Sequence, residues 1–178
     1  MSKMIITESS DELISKAEKD IMNVKVLLVQ KFYPANLMYD VICFHITQAV
    51  EKLLKSFIIS NGISIKKTHN LDELQKTAIR IDDSFKKINK ECVSLNEFVP
   101  NIKYSEQEPI TKQNINKAIK SLETICNFSA IKTMRESFGK KHKFKITAEI
   151  VTRQSTKTTS KSTTKKNVNN KKPPGFKP

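Results

Sequence analysis

Residues 42–57 place the strongest constraint on what this chain can fold into. Set on a helix at about 100° per residue, Ile42, Cys43, Ile46, Ala49, Val50, Leu53, Leu54 and Phe57 fall on one broad apolar face. A face that wide has to be covered by other elements. His45, Gln48, Lys52 and Lys55, spaced by three and four, line a second face, with Glu51 at its margin. Cations, a titratable ring and an amide on one rigid element are what an anionic or base-like ligand needs. The same row also reads as an ordinary solvated helix face, or as part of a structural ion pair through Glu51.

Four helical segments are expected. The first starts at Ser9-Ser10-Asp11-Glu12, where Ser9 and Glu12 have the spacing of a capping box. Leu13, Ala17, Ile21, Val24 and Leu28 then recur at helical spacing as far as Tyr33-Pro34. The second runs from about Ala35 to Ser60 and stops at Asn61-Gly62. Asn70 caps a third, whose buried stripe is Leu71, Leu74, Ala78, Ile81, Phe85 and Ile88. Thr111 caps the fourth, whose inward face is Ile115, Ala118, Ile119, Leu122, Ile125 and Cys126. Between the last two, Pro100 and Pro109 argue against a continuous helix. Short connections between such helices predict an all-α, up-and-down antiparallel four-helix bundle over residues 8–139.

The charge is concentrated at one end. The net charge of the chain is +14, yet residues 140–178 contain eleven Lys, one Arg and one Glu, a net of +11. From Thr152 onward the chain is mostly Ser, Thr, Lys and Asn ending in KKPPGFKP, too polar to offset the entropy of ordering it. A disordered basic tail is therefore expected over 140–178, an electrostatic foothold for RNA, DNA or anionic lipid or merely a solubilising extension. With Phe144 and Phe176 as its only aromatics, base stacking there is sparse. Residues 144–151 read as a short strand or as an extension of a helix, and the sequence does not choose between them.

Several chemistries are excluded. Gly62, Gly139 and Gly175 are the only glycines, so no glycine loop cradles a phosphate. Three scattered His residues without clustered carboxylates offer no metal site, and no cofactor is expected. Cys43, Cys92 and Cys126 are odd in number and far apart, which fits reduced thiols in a cytoplasm. No apolar run approaches the ~20 residues of a membrane span, no membrane insertion is expected, and the start lacks the pattern of a signal peptide.

Three segments together resemble the HEPN domain family. QAVEKLLKSF (48–57) is similar to the signature of its second helix, and THNLDEL (68–74) to its Thr-His-Asp-Leu element. VPNIKYSEQEP (99–109) is similar to the Arg-Tyr-Pro loop before its last helix. Order and spacing agree across residues 8–135. Two departures stand out: Arg-Tyr-Pro reads Lys103-Tyr104-Ser105, replacing a planar fork by a point charge, and the family's Asp is Asn70, still a good cap. The resemblance implies a helical bundle, a homodimer, nucleotide or RNA binding, and a minimal nucleotidyltransferase as partner in a toxin–antitoxin or defence-type pair. Some relatives it points to are metal-independent endoribonucleases.

The candidate nucleotide- or anion-binding residues are thus His45, Gln48, Lys52, Lys55, His69, Lys103 and Tyr104. His69 either bonds a loop carbonyl or faces an anion held by free amides at the start of the third helix. Six residues lie between Arg135 and His142, within the Arg-x4–6-His spacing of HEPN ribonucleases, where Arg would stabilise phosphorane charge and His transfer protons. They follow the last bundle helix rather than precede it, which favours chance spacing in a basic region. The expected function is a HEPN-type nucleotide- or RNA-binding module. A ribonuclease toxin using Arg135 and His142, and a protein-interaction scaffold without catalysis, are the alternatives.

Overall fold

The computed structural model describes residues 8–29, 38–65, 67–98, 109–139 and 146. All regular structure among them is helical. The elements are α1 (Ser10–Val29), α2 (Tyr39–Ser60), α3 (Leu71–Ile81), a 3-10 helix (Asp83–Ile88), α4 (Asn89–Asn96), α5 (Lys112–Asn127) and α6 (Ser129–Ser137). Among the described residues no helix is long and apolar enough to cross a membrane.

The helix ends follow from local chemistry. The Ser9 amide donates to Glu12 Oε2 at 2.8 Å, and the Glu12 amide donates back to Ser9 Oγ at 3.2 Å, completing the capping box. At the end of α2, Gly62 takes φ of 77°. Its amide donates to the Ile59 carbonyl at 2.9 Å, while that of Ile63 reaches Ile58 at 3.2 Å. This double bond pattern with a left-handed residue closes the helix as a Schellman motif. The Thr111 hydroxyl accepts from the Asn114 amide at 3.2 Å and starts α5.

α2 is the central element and packs against each of the other five α-helices. Ile42, Cys43, Ile46, Ala49, Val50, Leu53, Leu54 and Ile58 are almost completely buried. Burial of each large aliphatic side chain contributes about 1.5–3 kcal/mol, against about 1 kcal/mol for a cap. Packing, rather than propensity, therefore holds this helix with its many β-branched residues.

One expected helix is broken, and one helix, α6, was not expected. The stripe from Leu71 to Ile88 does not belong to one helix. Asp82 adopts φ −141° and ψ 109°, and its carboxylate accepts from the Ser84 amide at 2.9 Å, capping a separate 3-10 turn. An i+3 spacing keeps Phe85 and Ile88 inward in either geometry, which is why the stripe looked continuous. Phe128, extended at φ −62° and ψ 133°, likewise separates α5 from α6. Both boundaries serve the same aromatic cluster. Phe85 lies 4.4 Å from Phe57 and 4.8 Å from Phe128, centroid to centroid.

The second helix is described from Tyr39; its expected start at Ala35, the Lys103-Tyr104 loop, His142 and the tail beyond 146 lie outside the described residues. Of the stretch 144–151 only Ile146 is described. It is buried in the core, and its amide donates to Glu123 Oε1 at 2.5 Å.

All three thiols are reduced and buried. Burial pushes each of them up to about 12, and the thiolate is the reactive form. The native protein is therefore expected to resist iodoacetamide at pH 8 and to take up three equivalents once unfolded in urea, as read by mass spectrometry. Rapid labelling of any one thiol in the native state would contradict this burial.

Candidate functional site

The polar row of α2 meets α1 on one side and the segment before α3 on the other. Asp20, in phase with the buried stripe of α1, points its carboxylate at α2. One oxygen lies 2.9 Å from His45 Nδ1 and the other accepts from Lys52 Nζ at 2.6 Å. Lys52 Nζ also donates to Gln48 Oε1 at 3.1 Å. Gln48 Nε2 donates to Glu51 Oε2 at 3.3 Å, and Lys55 Nζ donates to Glu51 Oε1 at 2.5 Å. His69 closes the chain from the other side, with Nδ1 at 3.1 and 3.2 Å from the two Glu51 oxygens. A carboxylate only accepts, so both rings donate from Nδ1.

Five of the candidate residues thus join one hydrogen-bonded network through two acids. Their exposures differ. The Glu51 and Lys55 side chains are each 7% exposed, whereas His69 is 51% exposed. Lys52 lies between, and two of its three ammonium protons are directed at Asp20 and Gln48. One is left for a ligand. The two lysines balance the two carboxylates, so the network carries net positive charge only when an imidazole is protonated.

The start of α3 offers no anion site of the kind expected. Its first four amides already have protein acceptors: Leu71 on Asn96 Oδ1 at 3.0 Å, Asp72 and Glu73 on Asn70 Oδ1, and Leu74 on the Asn70 carbonyl. The helix end is closed on itself. Asn70→Ala is expected to lower stability by about 1 kcal/mol and Asn70→Asp to leave it unchanged, measured by urea denaturation. Equal loss in both variants would show that the side-chain oxygen is not what matters.

Arg135 lies elsewhere. Its guanidinium is buried under α6, with Nε donating to Glu18 at 2.7 Å and a longer contact of 3.5 Å from Nη1 to the Cys126 carbonyl. It belongs to the seam between α1, α5 and α6, not to the network of α2. Asp20 was missed from the sequence, although its phase gives a signal: an acid in register with Leu13, Ala17 and Val24 must find partners inside.

The HEPN domain family model matches residues 10–133, and with that share of the chain covered the protein belongs to the HEPN domain family. Comparison with curated proteins and with solved structures gave no significant match.

Proposed function

We propose that this chain is a HEPN-type helical module that binds nucleotide or RNA, and that it does so as a homodimer paired with a nucleotidyltransferase in a toxin–antitoxin or defence-type system. α1, α2, the α3–α4 unit and α5 are read as the limbs of an up-and-down bundle over residues 8–139. The observation carrying the reading is the bridge at Glu51, which ties the Gln48–Lys52 row to His69 across two elements. Within it Gln48, Lys52, His45 and His69 face the ligand, while Asp20, Glu51 and Lys55 hold them in place. Lys103 and Tyr104 would extend the site from the neighbouring loop. The basic residues of 140–178 add sequence-independent, salt-sensitive affinity for nucleic acid.

The test is fluorescence anisotropy with a labelled single-stranded RNA at low salt. The full chain is expected to bind, and Lys52→Ala and His69→Ala are each expected to weaken binding severalfold beyond the tail's contribution. A chain that binds neither RNA nor nucleotide, or variants indistinguishable from it, would overturn the reading. The ribonuclease alternative has less support, because the Arg135 guanidinium is engaged by Glu18 inside the fold.

A further inference from the structure

Where α1 begins, α2 ends and α6 passes them both, the surface forms a groove of about 570 Å³, within the range of ligand sites. Ile14, Phe57, Ala130 and Met134 supply its apolar lining, and Asp11 and Asp82 its charge. Among the described residues no Lys, Arg or His lines it. In a chain with a net charge of +14, a groove with only acidic charge stands out.

The polar part of the lining is set up to accept. Ser60 and Asn61 both donate to the Phe57 carbonyl at 2.8 Å, and Ser137 donates to that of Met134 at 2.7 Å. What these three have left to offer is chiefly oxygen lone pairs. Hydrogen bonding by Ser84 holds the Asp82 carboxyl below the usual carboxylate range, so it is ionised at neutral pH. Phe57 stacks on Phe85 at 4.4 Å and still keeps part of its surface exposed. A matching ligand therefore combines positive charge with an apolar group, best an aromatic one.

The chain carries such a group itself. Within residues 171–178, KKPPGFKP, stands Phe176, the only aromatic residue after Ile146, with Lys172 and Lys177 on either side of it. Pro173 and Pro174 favour the polyproline II geometry that peptide-binding grooves recognise at low entropic cost. Ile146 is held to Glu123 of α5, and twenty-four residues lie between it and Lys171. A chain of that length can span about 80 Å, well beyond the roughly 30 Å of a helix as long as α1. From the charge match and the reach we infer that residues 171–178 dock in this groove of their own chain. Phe176 lies against Phe57 and Met134, both good partners for an aromatic ring, while Lys172 and Lys177 face the two carboxylates. An anionic ligand meets Asp11 and Asp82 unfavourably, and a polyamine leaves the apolar lining unused. Docking sets part of the basic charge of residues 140–178 against the bundle, where it is neutralised internally. The inference is independent of the nucleotide reading, because no residue of the groove belongs to the network of α2.

The test is paramagnetic broadening in the full chain. The three native thiols are buried, so a nitroxide can be attached at the accessible thiol introduced by Pro178→Cys. In the isotopically enriched protein at low salt, amides of residues 10–14, 57–61 and 129–137 are expected to broaden. Residues 39–43, about 25 Å away at the other end of α2, should keep their intensity. Phe176→Ala, and separately Asp11→Asn with Asp82→Asn, should each reduce the broadening severalfold; Asn at 82 still caps the 3-10 turn. So should 1 M NaCl, where the screening length falls to about 3 Å. Broadening that is absent, uniform over the chain or indifferent to both variants would overturn the inference. Broadening lost in the Asp variant but kept in Phe176→Ala would also overturn it, since the groove would then bind cations without selecting this segment. A mixture of spin-labelled, unenriched chain with enriched, unlabelled chain separates the two sources of the segment. No broadening is expected there, and broadening at the groove would assign the docking to a second copy and overturn the intramolecular contact.

Discussion

Glu51→Ala is expected to destabilise the protein by about 3–5 kcal/mol, the cost of stranding a buried charge. Among the described residues Glu51 is the only carboxylate that pairs with the Lys55 ammonium, and both side chains are 7% exposed. Removing it leaves an ammonium almost out of reach of water, and it also takes an acceptor from Gln48 and His69. Against a total stability of about 5–15 kcal/mol, such a loss brings the fold close to its limit. Glu51→Gln should cost less, since it keeps an acceptor for Lys55 but not the charge. The double variant Glu51→Leu with Lys55→Met should recover much of the loss, because paired buried charges exchanged together for apolar groups are often near neutral. Urea denaturation of the three variants checks this. A Glu51→Ala midpoint within error of the parent would mean that Lys55 finds water or another acceptor.

The contrast between what could and could not be read from sequence has a physical basis. Caps are local: Ser9, Asn70 and Thr111 reach amides within three residues, so short-range chemistry determines them. The apolar face of α2 was equally legible, since a 3.6-residue period needs no partner to be seen. Breaks were harder. Asp82 and Phe128 end helices without Gly or Pro, and the gain lies in bringing Phe57 and Phe128 onto Phe85 from separate segments. The polar network was half visible. His45, Gln48 and Lys52 share a face, but the acid that orders two of them comes from α1, twenty-five and thirty-two residues away. Pairing at that separation depends on helix packing. The position of Lys55 was misleading for a similar reason: on an isolated helix it belongs to the polar row, whereas in the fold its side chain is 7% exposed and paired with Glu51.

Arg135→Ala is expected to lower stability by about 3 kcal/mol, because it leaves the Glu18 carboxylate, 15% exposed, without its guanidinium and opens space beside Cys126. Arg135→Lys should fall between, since an ammonium keeps the charge but lacks the fork that reaches Glu18 and the Cys126 carbonyl together. The same variants separate structure from catalysis. If Arg135 is a packing residue, any RNA cleavage measured in EDTA survives Arg135→Ala in proportion to the folded fraction, and the urea midpoint falls. A catalytic Arg135 gives the reverse: unchanged unfolding with cleavage abolished. The second outcome would require the guanidinium to leave Glu18 when RNA binds, and would return the Arg135–His142 pair to the centre of the mechanism. The observed bond from α6 to α1 favours the first.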